Sequence, residues 1–160
     1  MKKAFSAVAV ISAIIYIYIL IDLLFRLTGR AMIVVSPDML KNYNYWNSIN
    51  LVPFKTIIQY IKFFIEGRMV RIAINNLLGN IIIFIPAGFY LPFFLKIMRN
   101  LKIYVVTSAA LIIFIEIAQI ATRTGSMDID DFILNLAGAL IGFVIFTRTP
   151  ARLLLRLRAW

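Results

Sequence analysis

Three carboxylates stand directly before the last apolar segment of the chain, in the stretch SMDIDDFILNLAG at residues 126 to 138. Asp128, Asp130 and Asp131 could mark a helix start, a cation site, or half of an active site. At a helix start, Asp128 would be the N-cap and Asp131 an acid in the first turn, where the helix dipole favours negative charge. For a cation, Asp128 and Asp131 offer the oxygen ligands that Mg²⁺ or Ca²⁺ prefers, although this spacing is a weak metal signal. Asp130 has no assigned partner and is expected to be solvated.

Glu116 is the other candidate for chemistry, because it lies well inside an apolar segment. A buried carboxyl group there could act as a general acid or base, with Asp131 as a second candidate catalytic residue. The chain has no cysteine and no histidine, which excludes disulfides, thiol nucleophiles, imidazole bases and zinc sites built from these residues. No cofactor is strongly implied, and a divalent cation is the one candidate.

Three apolar segments each carry polar residues about one helical turn apart, near the same end of the predicted bundle. Segment by segment, these residues are Asn76 and Asn80, then Glu116, Gln119 and Arg123, then Asp131 and Asn135. A charged group at the bilayer centre costs at least ~2.5 kcal/mol on insertion scales, so such groups normally face a bundle interior or water. We therefore expect one shared polar pocket. The simpler roles are hydrogen bonds between helices for the asparagines and a structural ion pair between Glu116 and Arg123.

Four segments are apolar and long enough to cross a bilayer, whose hydrocarbon core needs about 20 helical residues. They run over residues 4–24, 72–94, 101–121 and 129–147. The 160-residue chain is 62% hydrophobic, against roughly 45–50% in soluble domains. The first segment is too long for a signal peptide and has no cleavage site, which indicates an uncleaved anchor. These features predict an all-α integral membrane bundle that forms a single membrane domain over residues 1–160.

The last span also carries a face of small residues. Gly138 and Gly142 are four residues apart and share this face with Asp131 and Asn135. The spacing is typical of close helix packing, and it would let a neighbouring helix approach below the polar pair.

The loop between the first two spans contains a short amphipathic segment, FKTIIQYIKFFIEGR at residues 54 to 68. Its isoleucines and phenylalanines fall on one helical face, and its charged residues fall mostly on the other. The segment is too short to cross the bilayer. We therefore expect an outer helix over residues 54–66 that is interfacial or re-entrant.

The chain is strongly basic, with a net charge of +10. In a soluble protein this charge would suggest nucleic acid, but here the basic residues flank apolar segments, which indicates contact with anionic lipid headgroups. We expect membrane lipids and no nucleic acid as partners. Short basic flanks place both termini, with the basic tail at residues 148–160, in the cytoplasm of a multi-pass cell-membrane protein. The acidic residues then gather on the outer side.

Four motifs, in order, resemble those of the VanZ-like family: NLVPFKTI at 50–57, NLLGNIIIFIPAGFYLP at 76–92, EIAQ at 116–119 and DIDDFILNLAGALIG at 128–142. The name-giving member of that family is associated with resistance to the glycopeptide antibiotic teicoplanin. The resemblance implies a small multi-span membrane protein with a role at the cell envelope, and it implies no reaction. By motif match, the recurring polar positions of that family correspond to Asn50, Asn76, Asn80, Glu116, Gln119, Asp128, Asp131 and Asn135.

The first functional hypothesis is an outward-facing pocket that binds an amphiphilic cell-envelope ligand, either a lipid-linked cell-wall precursor or a lipoglycopeptide antibiotic. An amphiphile needs an apolar groove and a few placed polar groups, and the sequence offers both. The candidate ligand-binding residues are Asn50, Asn76, Asn80, Glu116, Gln119, Arg123, Asp128, Asp131 and Asn135. One alternative is an intramembrane enzyme that acts on a lipid phosphate or ester through Glu116 with Asp128 and Asp131. The other is a small oligomeric transporter, and the oligomeric state is left open.

Overall fold

The computed structural model describes residues 2–25, 49–122 and 124–149. Five α-helices and two very short strands follow one another in these residues, with a 3-10 turn at Lys96–Arg99. In chain order they are α1 (Lys2–Phe25), β1 (Ile49–Asn50), α2 (Lys55–Ile65), α3 (Val70–Phe94), α4 (Leu101–Ala121), β2 (Met127–Asp128) and α5 (Ile129–Arg148). The aromatic part of the first loop, Arg123 and the end of the basic tail lie outside the described residues.

Four of the helices, α1, α3, α4 and α5, are long and apolar enough to cross a membrane. Their bounds fall within a few residues of the segments that the sequence predicts, and the prediction of an all-α membrane bundle is confirmed. Local capping signals in the sequence account for the start of α4. Asn100 caps α4, where its side-chain oxygen accepts from the backbone N–H of Lys102 and Ile103.

Side-chain contacts fix the directions of the four long helices. The ring of Phe5 meets that of Phe93 edge-on at 6.4 Å, so the start of α1 lies beside the end of α3. Gln119 donates to the carbonyl oxygen of Leu24 at 2.8 Å, which places the end of α1 beside the end of α4. Helix α1 therefore runs antiparallel to α3 and parallel to α4, so successive spans alternate in direction.

The apolar core lies between α3, α4 and α5. It contains Phe84, Tyr104, Ile112, Ile115, Ala139 and Phe143, all of them buried. Tyr104 is fully buried and donates its hydroxyl to the carbonyl oxygen of Ala139 at 3.0 Å, while its ring lies 4.6 Å from that of Phe143. The hydroxyl therefore has a partner, as a buried tyrosine needs.

Helices α3 and α5 run parallel and pack backbone to backbone. A side chain on Gly138 would overlap the carbonyl oxygen of Ile81, and one on Gly142 would overlap that of Ile85. Gly88 of α3 meets α5 in the same way. The predicted close approach at Gly138 and Gly142 is therefore confirmed, and it brings the polar residues above it within reach of α3.

Helix α2 corresponds to the amphipathic segment predicted at 54–66. None of its residues is buried, and its isoleucines and phenylalanines at 58, 61, 64 and 65 are among the exposed large apolar side chains. An exposed apolar face on a short helix beside a membrane bundle is typical of an interfacial helix.

Candidate functional site

The motifs at residues 50–57 and 128–142, far apart in sequence, meet at one end of the bundle. Strands β1 and β2 pair in parallel, with Asn50 opposite Asp128. Asn50 Nδ2 donates to Asp128 Oδ1 and to Thr56 Oγ1, both at 3.0 Å, and Thr56 Oγ1 donates to Asp128 Oδ2 at 2.6 Å. The carboxylate oxygens of Asp128 are therefore bound to Asn50 of β1 and to Thr56 in the first turn of α2.

Asp128 is also the N-cap of α5. Its Oδ1 accepts from the backbone N–H of Asp130 at 2.9 Å, so the helix-cap interpretation of Asp128 is confirmed. This oxygen already receives the amide of Asn50. With both oxygens bound to protein donors, Asp128 is a poor candidate for a cation ligand. No group of three or more carboxylates in the described ranges is placed to hold a metal ion.

The expectation that Asp130 is solvated is wrong. The residue is fully buried, and its carboxylate binds the start of α2. Its Oδ1 accepts from the backbone N–H of Phe54 at 2.5 Å, and its Oδ2 accepts from those of Thr56 and Ile57 at 2.7 and 3.1 Å. The physical reason is that α2 has no capping side chain of its own, so its free N–H groups and positive dipole end need an acceptor from elsewhere.

The turn that presents these N–H groups is strained. Phe54 has a φ of 65°, in the left-handed region that residues with a side chain rarely occupy. Such a conformation costs about 1–3 kcal/mol and persists only where the surroundings hold it. The hydrogen bond from the Phe54 N–H to Asp130 is the contact that holds it here.

Deeper in the bundle, two polar links join α5 to its neighbours. Asn80 Nδ2 of α3 donates to Asp131 Oδ1 at 2.5 Å, and Asn135 Nδ2 donates to Glu116 Oε1 of α4 at 3.5 Å. Asp131 and Asn135 are one turn apart on α5. Three helices thus bring polar side chains to the same end of the bundle, and we call Asn80, Glu116, Asp131 and Asn135 the polar cluster.

The other predicted site residues make different contacts. Asn76 Nδ2 donates to the carbonyl oxygen of Ile72 in its own helix, and Gln119 donates to Leu24 of α1. Neither of these hydrogen bonds joins the polar cluster, which is smaller than the sequence predicts. Arg123 lies outside the described residues, so its predicted pairing with Glu116 stays a prediction.

Two buried atoms of the polar cluster have no hydrogen-bond partner among the described residues: Glu116 Oε2 and Asn135 Oδ1. Glu116 is 3% exposed and Asn135 is 2% exposed. A buried polar atom without a partner costs roughly 1–3 kcal/mol, and more for a charged group. A cavity of about 150 Å³ adjoins Glu116, with Asp128 and the apolar side chains of Leu51, Ile113, Met127, Ile129 and Phe132 as its other walls.

The electrostatic field at this end of the bundle is negative. Glu116, Asp128, Asp130 and Asp131 gather there, and none of them forms an ion pair with any described basic residue. The field extends to α2. Burial raises the pKa of the Tyr60 hydroxyl above its ordinary value, and the charges of Asp131 and Asp128 raise it further. Tyr60 therefore stays protonated at neutral pH and keeps its hydroxyl as a donor.

Thr56 and Asp130 are the site residues that sequence reasoning missed. Thr56 contributes a hydroxyl to Asp128 and a backbone N–H to Asp130. A signal was present, because VPFK begins a helix without Ser, Thr, Asp or Asn at the cap position. A helix start of that kind needs an acceptor from another part of the chain.

The helices and the position of the polar cluster define a multi-pass membrane protein whose buried polar groups meet at one end of the bundle. A family model described as VanZ/LLP1 matches residues 10–154, most of the chain. The chain therefore belongs to the VanZ/LLP1 family, and the resemblance found in its motifs is confirmed. No curated protein and no solved structure matches it.

Proposed function

We propose that this protein binds the polar head of an amphiphilic cell-envelope molecule at the acidic end of its bundle. The observation that carries the proposal is the pair of unpartnered buried atoms, Glu116 Oε2 and Asn135 Oδ1, beside a cavity that Glu116 lines. A scaffold built for stability alone would satisfy such atoms, because leaving them unpaired is costly. A ligand that supplies the missing hydrogen bonds accounts for their persistence.

The apolar part of an amphiphile also has a place on this bundle. A groove of about 570 Å³ lies between α1 and the helices α3 and α4. Its walls are almost entirely apolar and include Leu20, Leu24, Leu91 and Ile112. Specific sites for small molecules combine such a surface with a few placed polar groups. The groove is within the membrane-spanning part of the chain, so a lipid tail can enter it without passing through water.

The candidate ligands are a lipid-linked cell-wall precursor and a lipoglycopeptide antibiotic such as teicoplanin. Both present a polar head and an apolar tail at the outer membrane surface. Binding either one there would change how a glycopeptide reaches its target, which would link the pocket to teicoplanin resistance. For the enzyme alternative, protein donors already occupy both oxygens of Asp128, which disfavours the cation that Asp128 would hold.

The proposal requires the acidic end to face outward, with both termini in the cytoplasm. We expect a cysteine at Ser126, beside β2, to react with an impermeant thiol reagent in intact cells. A cysteine at Lys96, at the other end of α3, should stay unlabelled until the cells are opened. The chain has no cysteine of its own, so each label reports one site. The reverse labelling pattern would place the polar cluster on the cytoplasmic side and contradict an outward-facing pocket.

Substitution of either acid in the polar cluster tests the binding function. Glu116→Gln and Asp131→Asn nearly preserve side-chain shape and replace each carboxyl group by an amide. We expect both variants to insert and keep their helices, but to lose the co-purifying amphiphile at least about tenfold, equivalent to about 1.4 kcal/mol. The measurement is mass spectrometry of lipids extracted from the purified protein, beside teicoplanin tolerance in a susceptible bacterium.

Glu66→Gln is the matched control, because Glu66 is an exposed acid after α2 that pairs with Arg68. It should retain the wild-type lipid. A second comparison separates function from scaffold: Glu116→Leu should be tolerated for folding, since apolar replacement of buried charged groups often is. If both carboxamide variants keep the full complement of lipid, the polar cluster is scaffold and the binding proposal fails.

A further inference from the structure

The two unpartnered atoms of the polar cluster are both acceptors when Glu116 is ionised. Glu116 Oε2 then belongs to a carboxylate, and Asn135 Oδ1 is an amide oxygen whose Nδ2 already donates to Glu116 Oε1. A ligand that completes this cluster must therefore bring donors. A phosphate monoester or diester brings acceptors and negative charge, so it does not fit.

The acidic surroundings also favour a ligand group that carries positive charge. Four carboxylates gather at this end, and no described basic side chain is paired with them. The carboxylates of Asp128 and Asp130 are bound to donors of the α2 segment, and Asp131 accepts from Asn80. Glu116 is the acid of the group with a buried oxygen that has no hydrogen-bond partner among the described residues. A positive group placed beside Glu116 would be attracted by the acidic groups that gather at this end, since electrostatic interactions are strong in a site that excludes water.

We propose that the ligand presents a primary ammonium group to Glu116 and Asn135. This inference rests on the proposed binding function and names the chemistry of the bound head. An ammonium has three donors and no acceptor, so it can satisfy Glu116 Oε2 and Asn135 Oδ1 together and keep a third donor. A hydroxyl has a single donor and can satisfy one of them. A quaternary ammonium carries the charge but donates to neither.

Three single-chain amphiphiles separate these properties: dodecylamine, N-dodecylacetamide and dodecyltrimethylammonium. The first has charge and donors at pH 7, the second has an N–H without charge, and the third has charge without a donor. We expect the full-length wild-type protein to retain one dodecylamine in native mass spectrometry from detergent, with at least about tenfold weaker retention of the other two, or about 1.4 kcal/mol. Glu116→Gln should lower dodecylamine retention at least tenfold and leave retention of N-dodecylacetamide unchanged, while Glu66→Gln should behave as wild type.

Equal retention of the three amphiphiles, or of dodecylamine by wild type and Glu116→Gln, would overturn the ammonium inference. Neither result alone contradicts the binding function. That function fails if the Glu116→Gln and Asp131→Asn variants both co-purify every lipid that the wild-type protein does.

A second source of a donor-bearing cation is the chain itself, because Arg123 follows α4 in the sequence. If a ligand supplies the cation, Arg123→Gln should retain dodecylamine at least as well as wild type. If dodecylamine binds the Arg123→Gln variant and not the wild type, the cation comes from the protein, and the inference about the ligand is wrong.

Discussion

Replacing Asp130 by alanine is expected to release α2 from the end of the bundle, at a cost of roughly 3 kcal/mol. The buried carboxylate accepts three backbone N–H groups at the start of that helix, from Phe54, Thr56 and Ile57. A hydrogen bond to a charged group contributes about 1.5–3 kcal/mol, and we discount the sum because water can reach the released N–H groups. In hydrogen exchange, the amides of 55–65 should exchange about 100-fold faster than in wild type.

Two other variants show whether the faster exchange depends on the charge and position of Asp130. Asp130→Asn keeps one acceptor oxygen without the charge, and it should fall between wild type and Asp130→Ala. Glu66→Ala removes an exposed acid near the other end of α2, where the ion pair with Arg68 contributes less than about 1 kcal/mol, so its exchange should be nearly unchanged. Unchanged protection of α2 in Asp130→Ala, with the long helices intact, would show that Asp130 does not hold this helix.

The attachment of α2 explains why two of the family motifs occur together. The 50–57 motif supplies donors from Asn50, Thr56 and the turn at Phe54, and the 128–142 motif supplies the acceptors Asp128 and Asp130. Each motif is incomplete by itself, because the first lacks a cap for α2 and the second would bury carboxylates without partners. Together they also place Leu51 and Asp128 in the wall of the cavity beside Glu116.

The long helices and the glycine contact could be predicted from the sequence because their signals are local. Span length follows from the run of apolar residues, and the shared face of Asp131, Asn135, Gly138 and Gly142 follows from helical spacing. The N-cap role of Asp128 is local too, since it depends on the residues that follow it.

The role of Asp130 could not be predicted in the same way. Its partners lie 73 to 76 residues earlier in the chain, and the β1–β2 pair that aligns them is two residues long in each strand. The hydrogen-bond partners of Asn76 and Gln119 could not be predicted from the sequence either. Helical spacing gives the face of a side chain, but a polar side chain chooses among acceptors that only the packed bundle brings near, such as the carbonyl of Leu24.

The second large effect is expected at the contact between α3 and α5. Gly138→Ala should destabilise the bundle by about 2 kcal/mol, because the new Cβ would overlap the backbone of Ile81, which cannot rotate away. The destabilisation must exceed the gain of about 1 kcal/mol that alanine brings to a helix interior. Thermal unfolding in nanodiscs, followed by circular dichroism, measures the change.

Gly79→Ala is the matched control for this glycine. Gly79 lies in α3, one residue before Asn80, and a Cβ there would have nothing within 4 Å. Both substitutions add one methyl group and gain the same helix propensity, so the difference between them isolates the packing of α3 against α5. Gly79→Ala should be neutral or stabilising by up to about 1 kcal/mol. The effect of Gly138→Ala should reach the polar cluster as well, because any separation of the two helices lengthens the link from Asn80 to Asp131. Equal stability of the two variants would mean that the close approach of α3 and α5 contributes nothing to the fold, and the glycine face would then need another explanation.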